Sequence, residues 1–86
     1  MTLMRAKMKV ENLLKYFDSD ENVTQLDLWL RAVCKDGSYP ADGSDEDNTF
    51  ARFTPNAELK MSIMNPNLFD SFEIGQKFYV DFTRVP

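Results

Sequence analysis

Apolar and polar residues alternate with a period of two through four segments of this 86-residue chain, and that pattern constrains the fold more than any other feature. A strand turns successive side chains to opposite faces, so strict alternation describes a sheet with one face buried and the other wet. From Met4 to Val10, the residues Ala6, Met8 and Val10 share a face against Arg5, Lys7 and Lys9. In "LDLWLRAVC" (26–34) the inward set is Leu26, Leu28, Leu30, Ala32 and Cys34, with Asp27, Trp29, Arg31 and Val33 opposite. A helix there would group Leu26, Leu30 and Val33 but leave Leu28 and Trp29 on ill-matched sides, so strand is the better reading. "AELKMSIM" (57–64) sets Leu59, Met61 and Ile63 against Glu58, Lys60 and Ser62. "KFYVDFT" (77–83) sets Phe78, Val80 and Phe82 against Tyr79, Asp81 and Thr83.

The punctuation between these segments belongs to an antiparallel meander. "FDSDEN" (17–22) is a polar turn, "KDGSYPADGSDEDN" (35–48) is a long loop with two Asp-Gly pairs and a proline, and Pro55 separates a short "TFARF" strand from the next one. In "NPNLFDSFEIGQ" (65–76), Asn65 is placed to cap one helical turn with Pro66 in its first position, and Gly75 reopens the chain into the last strand. The expected fold is therefore all-β: a single domain over 1–86, built as a small antiparallel sandwich or partly open barrel of five to six strands with at most one short helical turn. An OB-like and an SH3-like architecture both satisfy this pattern. An acidic loop at about 36–48 is its most prominent connection.

Composition removes several functions. Histidine is absent, which takes away the commonest transition-metal ligand and the side chain whose proton equilibrium lies nearest neutrality. A nucleophilic triad would need a shifted carboxylate or lysine as base, and no motif marks one. The three glycines, at 37, 43 and 75, lie in separate turns, so no phosphate-cradling loop exists. Cys34 is alone and ends an inward strand face, where a small core residue is expected. No run approaches the roughly 20 apolar residues of a membrane span, and "MTLMRAKMKV" lacks the continuous apolar stretch of a secretory signal. These points lead to a soluble, non-enzymatic protein without cofactor or metal, resident in a cytoplasm.

What is left to do work is charge and surface. The net charge of −4 arises in one place: Asp42, Asp45, Glu46 and Asp47 are four of the fourteen acids, and the other ten balance ten bases. The loop lacks the ligand spacing and distal glutamate of an EF-hand. It reads either as a solvated turn or as a negative bait for a basic groove on a protein partner. Arg5, Lys7 and Lys9 form a basic stripe on one strand face, opposed in sign to that corner. Trp29 lies opposite the leucines, either as an exposed anchor for a partner or buried beneath the 35–48 loop. Phe50, Phe53, Phe78, Tyr79 and Phe82 offer a third use, a stacking platform for single-stranded nucleic acid with the basic stripe as its groove, which the acid excess disfavours.

The segments "RAKMKV" (5–10), "RAVCKDGSYP" (31–40), "DGSDEDNTFARFTPNAELKMSIMNP" (42–66) and "GQKFYVDFT" (75–83) resemble a family of short, uncharacterised proteins of tailed bacteriophages and prophages. The resemblance spans most of the chain and carries no activity to any residue. In that family the segment after the Asn-Pro pair is commonly smaller and more polar than "NLFDSF", so Phe69 and Phe72 mark a local departure. The resemblance implies a phage origin, a place in the host cytoplasm or in the virion, and two jobs. The first is an accessory part of the virion or its assembly, in which many copies contact a protein lattice or one another as a homo-oligomer. The second is inhibition of a host anti-phage defence system, by blocking a basic groove or sequestering a small ligand.

Overall fold

The computed structural model describes residues 2–86 and is all-β. Four strands, β1 (Thr2–Phe17), β2 (Val23–Ala32), β3 (Glu58–Ile63) and β4 (Lys77–Thr83), form one antiparallel sheet in the order β3-β2-β1-β4. Five or six strands were expected; "TFARF" is not one of them. Residues 49–53 lie in turns, with the Ala51 amide closing on the Asn48 carbonyl at 3.0 Å and Phe53 in the left-handed region at φ 57°. No second sheet exists among the described residues, and the two edge strands lie on opposite sides of the central pair.

Alternation places side chains as expected on the central strands. Ala6, Met8 and Val10 of β1 and Leu26, Leu28, Leu30 and Ala32 of β2 are all buried on one face. Strand β1 nevertheless runs seven residues beyond Val10, because a bulge resets its phase. Val10 opposes Leu30 whereas Asn12 opposes Trp29, so Glu11 is the extra residue, and Leu13, not Leu14, returns to the apolar face opposite Leu28. A bulge of this kind breaks a two-residue pattern in sequence without ending the strand. The hairpin then closes through Asp18, whose carboxylate accepts from the amides of Asp20 and Asn22.

Topology dictates what covers the apolar face. The chain must travel from β3 at one edge to β4 at the other, and residues 64–76 make that crossing over the buried face. Asn65 caps the 3-10 turn Pro66–Leu68 through its side chain and the Asn67 amide, as its sequence predicts. Just beyond it Phe69 is buried in the core, and Phe72 packs tilted on Phe78 with ring centroids 5.4 Å apart. The chain is pinned on arrival by Gly75 and Gln76, whose amide and carbonyl pair with Val10.

This cover is incomplete. The molecule measures 55 × 33 × 16 Å. Its radius of gyration is 15.7 Å, against about 12 Å for a compact chain of this length. It exposes 6287 Å², whereas a folded monomer of 10.0 kDa typically exposes about 5,200 Å². Cys34 departs from expectation for a related reason: β2 ends at Ala32, so the residue that alternation would turn inward lies past the strand and is exposed.

Candidate functional site

The acidic loop is fastened into the sheet. Beyond the end of β2 the outer edge of β1 has no strand neighbour, and Asn48 and Thr49 take that place. Asn48 is fully buried (0% exposed): its Oδ1 accepts from the Lys7 amide at 2.8 Å, and its Nδ2 donates to the Val33 carbonyl at 2.7 Å and to Asp45 Oδ2 at 3.0 Å. Thr49 Oγ1 accepts from the Arg5 amide while its own amide donates to the Arg5 carbonyl. Asp45, only 3% exposed, directs Oδ1 at the amides of Asp47 and Asn48. A buried carboxylate satisfied by backbone N–H groups is a turn-forming device.

Acid and base, expected at opposed ends of the molecule, are in contact. Asp47 reaches Lys7 Nζ at 3.3 Å and accepts from the Tyr79 hydroxyl at 2.8 Å. Arg5 makes a two-point contact with Asp81 at 2.6 and 3.1 Å, and its guanidinium lies 4.3 Å from the centre of the Tyr79 ring. The Tyr79 hydroxyl holds the Asp47 carboxyl below its usual range, helped by Lys7, and the same bonds push Tyr79 and Lys7 upward. Asp81 is lowered by Arg5. Each shift moves its group away from neutrality, opposite to the tuning that general acid–base chemistry requires.

The remaining candidates are scattered. Asp42 accepts from the Ser44 amide, which lowers its carboxyl, and Glu46 pairs with Lys35 at 3.1 Å; both stay open to solvent. Lys9 faces Lys77 across the strands and has no ion-pair partner among the described residues. Trp29 lies opposite the leucines, half-buried and flanked by Asn12 and Lys60. The Lys60 ammonium sits 4.4 Å from its ring centre, and its Nε1 is buried without a partner. Beside it Asp27 accepts from Gln25 and Ser62, which lower its carboxyl.

The aromatic set does not form one platform. Tyr79 faces the charged side, Phe53 meets Tyr39 edge-on at 5.8 Å in the loop, and Phe78 is under Phe72. Phe50 and Phe82 remain, and they stand together on the apolar face. There they wall a groove of about 130 Å³ whose floor is Ala6, Met8 and Val80 and whose far side is Ala57 and Leu59. Phe82 is 47% exposed although it lies in register opposite Met4 on the core side of the sheet. The only charged residue in the lining, Glu58, is held by Arg31 at 2.8 Å. Sequence reasoning assigned Phe82 to the interior because its alternation is correct; what it lacks is a segment of this chain to lie over it.

Among the described residues no three His, Cys, Asp or Glu side chains converge as a metal site requires, and no helix is long and apolar enough to cross a membrane. Fold and surface together define a single-sheet all-β module with one largely self-paired charged face and one partly open apolar face. Comparison with protein-family models, curated proteins and solved structures finds no match.

Proposed function

We propose that this protein is a non-enzymatic contact module of phage type, an accessory part of the virion or its assembly, and that its working surface is the open apolar side of the sheet. The observation that carries this reading is the Phe50–Phe82 groove, an apolar hollow on a face that the chain itself covers only in part. An apolar patch left open on a small domain usually marks a contact surface. The charged side supports the same division of labour. Arg5, Lys7, Asp47 and Asp81 pair with one another, so their role is to clamp the 42–49 loop and rigidify the sheet, leaving Asp42, Glu46 and Lys9 as the charges that orient an approaching protein.

Blockade of a host defence protein is the weaker reading on these grounds. With Asp45 and Asp47 engaged internally, the exposed acids Asp36, Asp42 and Glu46, two of which already pair with Lys7 and Lys35, are too few and too dispersed to imitate a phosphate backbone. Single-strand binding loses its platform with the separation of the aromatic residues.

The test is incorporation. Epitope-tagged protein supplied during phage growth is expected to co-purify with gradient-banded particles or assembly intermediates at a fixed copy number, and Phe82→Asp is expected to abolish this. Absence of the unmodified protein from every such fraction would refute the reading.

A further inference from the structure

We infer that the occupant of the open apolar face is a second copy of this chain, docked face to face about a two-fold axis, so that two single sheets complete one β-sandwich in trans. This rests on the contact-module reading above and gives its surface a specific partner.

Three observations converge on a copy of the same chain. The first is area. The protein exposes 6287 Å², about 1,000 Å² more than a monomer of its mass, and a stable interface removes about 800 Å² from each partner. The surplus is large enough to supply one standard interface per chain.

The second is shape. A two-fold contact must be self-complementary, with knob and hole on one patch. Here the knob is the half-exposed ring of Phe82, and the hole is the adjacent 130 Å³ hollow floored by Ala6 and Val80. Its volume is close to the roughly 150 Å³ cavity known to accept a benzene ring.

The third is charge. Two chains of net charge −4 repel one another, and the repulsion is least when they meet through a face without unpaired charge. The groove is such a face, since its one carboxylate, Glu58, is already bound by Arg31. A second sheet stacked about 10 Å above the first would cover what the chain leaves open on this face, the half-exposed side chains of Phe82 and Met61.

Sedimentation equilibrium of the intact protein over a range of concentrations tests this directly. A reversible species of twice the 10.0 kDa chain mass is expected. Phe82→Asp should weaken it at least about 100-fold, since a two-fold interface contains each substitution twice and a central aromatic is a typical hot spot. Leu14→Asp, at an exposed apolar residue that lies opposite Asp27 on the other face of the sheet, should leave it unchanged. Far-ultraviolet circular dichroism confirms that each variant is folded, and hydrogen exchange of the unmodified protein should show the Ala6 and Val80 amides slowing as concentration rises.

A monomer at every concentration overturns self-pairing, as does a dimer that Phe82→Asp leaves intact. A monomer that still enters phage particles through Phe82 overturns this inference alone and leaves the contact-module reading standing. A groove-dependent dimer absent from every particle and intermediate supports the inference and refutes the assembly role.

Discussion

Replacing Asn48 by alanine should disconnect the 42–49 loop from the sheet, and the size of the effect follows from three hydrogen bonds. The substitution leaves the Lys7 amide, the Val33 carbonyl and Asp45 Oδ2 without the side chain that satisfies them. Two of these bonds are partly buried and count at about 1 kcal/mol each, while the third, to a buried carboxylate, counts at about 1.5 to 3 kcal/mol. The expected loss is about 3 to 5 kcal/mol, a large share of the roughly 4 to 13 kcal/mol available to a chain of this length. Urea denaturation measures it as a shift of the midpoint at unchanged slope. Amide exchange adds a local readout: Arg5 and Lys7 should lose protection in the variant, whereas Leu28, paired inside the sheet and remote from the loop, should lose only what global stability dictates. A midpoint within about 0.5 kcal/mol of the unmodified protein, the scatter of ordinary surface substitutions, would refute the view that Asn48 holds the loop.

Further expectations concern packing, strain and pH. Phe69→Ala deletes a ring that is 8% exposed and should cost about 3 to 5 kcal/mol, whereas Phe82→Ala, at 47% exposure, should cost the isolated chain about half as much; thermal melts of dilute protein giving the reverse order would show the apolar face misassigned. Gly43→Ala puts a Cβ 2.5 Å from the Phe53 ring at a φ of 75°, and should destabilise by about 1 to 3 kcal/mol, less when Phe53 is also alanine; equal losses in both backgrounds would remove the ring from the explanation. The depressed carboxyls of Asp47 and Asp81 contribute stability that is fully present above their unfolded value near pH 4 and is lost as pH falls through and below it. The urea midpoint should therefore drop on acidification, and the drop should be smaller in Asp47→Asn; an identical pH profile would contradict the Lys7–Asp47–Tyr79 link. Tyr79 and Lys7, both raised, contribute stability that is present below about pH 10 and lost as pH rises through their folded values.

The legible parts of the molecule are those governed by near neighbours. The faces of β2 and β4, the first half of β1, the Asp18 turn and the Asn65 cap all depend on residues within a few positions of one another, and each stands where its local pattern put it. The missed parts each depend on a distant contact. Glu11 bulges against a strand that begins twelve residues later, so the second half of β1 loses its period in the sequence while keeping its partner in space. Asn48 binds Lys7 and Val33, and nothing in "DEDNTF" distinguishes that staple from a solvated acidic turn. Trp29 is capped by Lys60 from a strand thirty-one residues on, and Cys34 is exposed because β2 ends two residues earlier.

The amino-acid order by itself determined that this chain forms strands, which side chains share a face, and that histidine-based chemistry is absent, because backbone sterics and composition act residue by residue. Only the tertiary structure decided that the strands make one sheet instead of two, that the acidic loop closes on the basic stripe, and that Phe82 stands at an uncovered groove. Those outcomes turn on which remote segment reaches which face, and the β3-to-β4 crossing is long enough to cover the apolar side only in part.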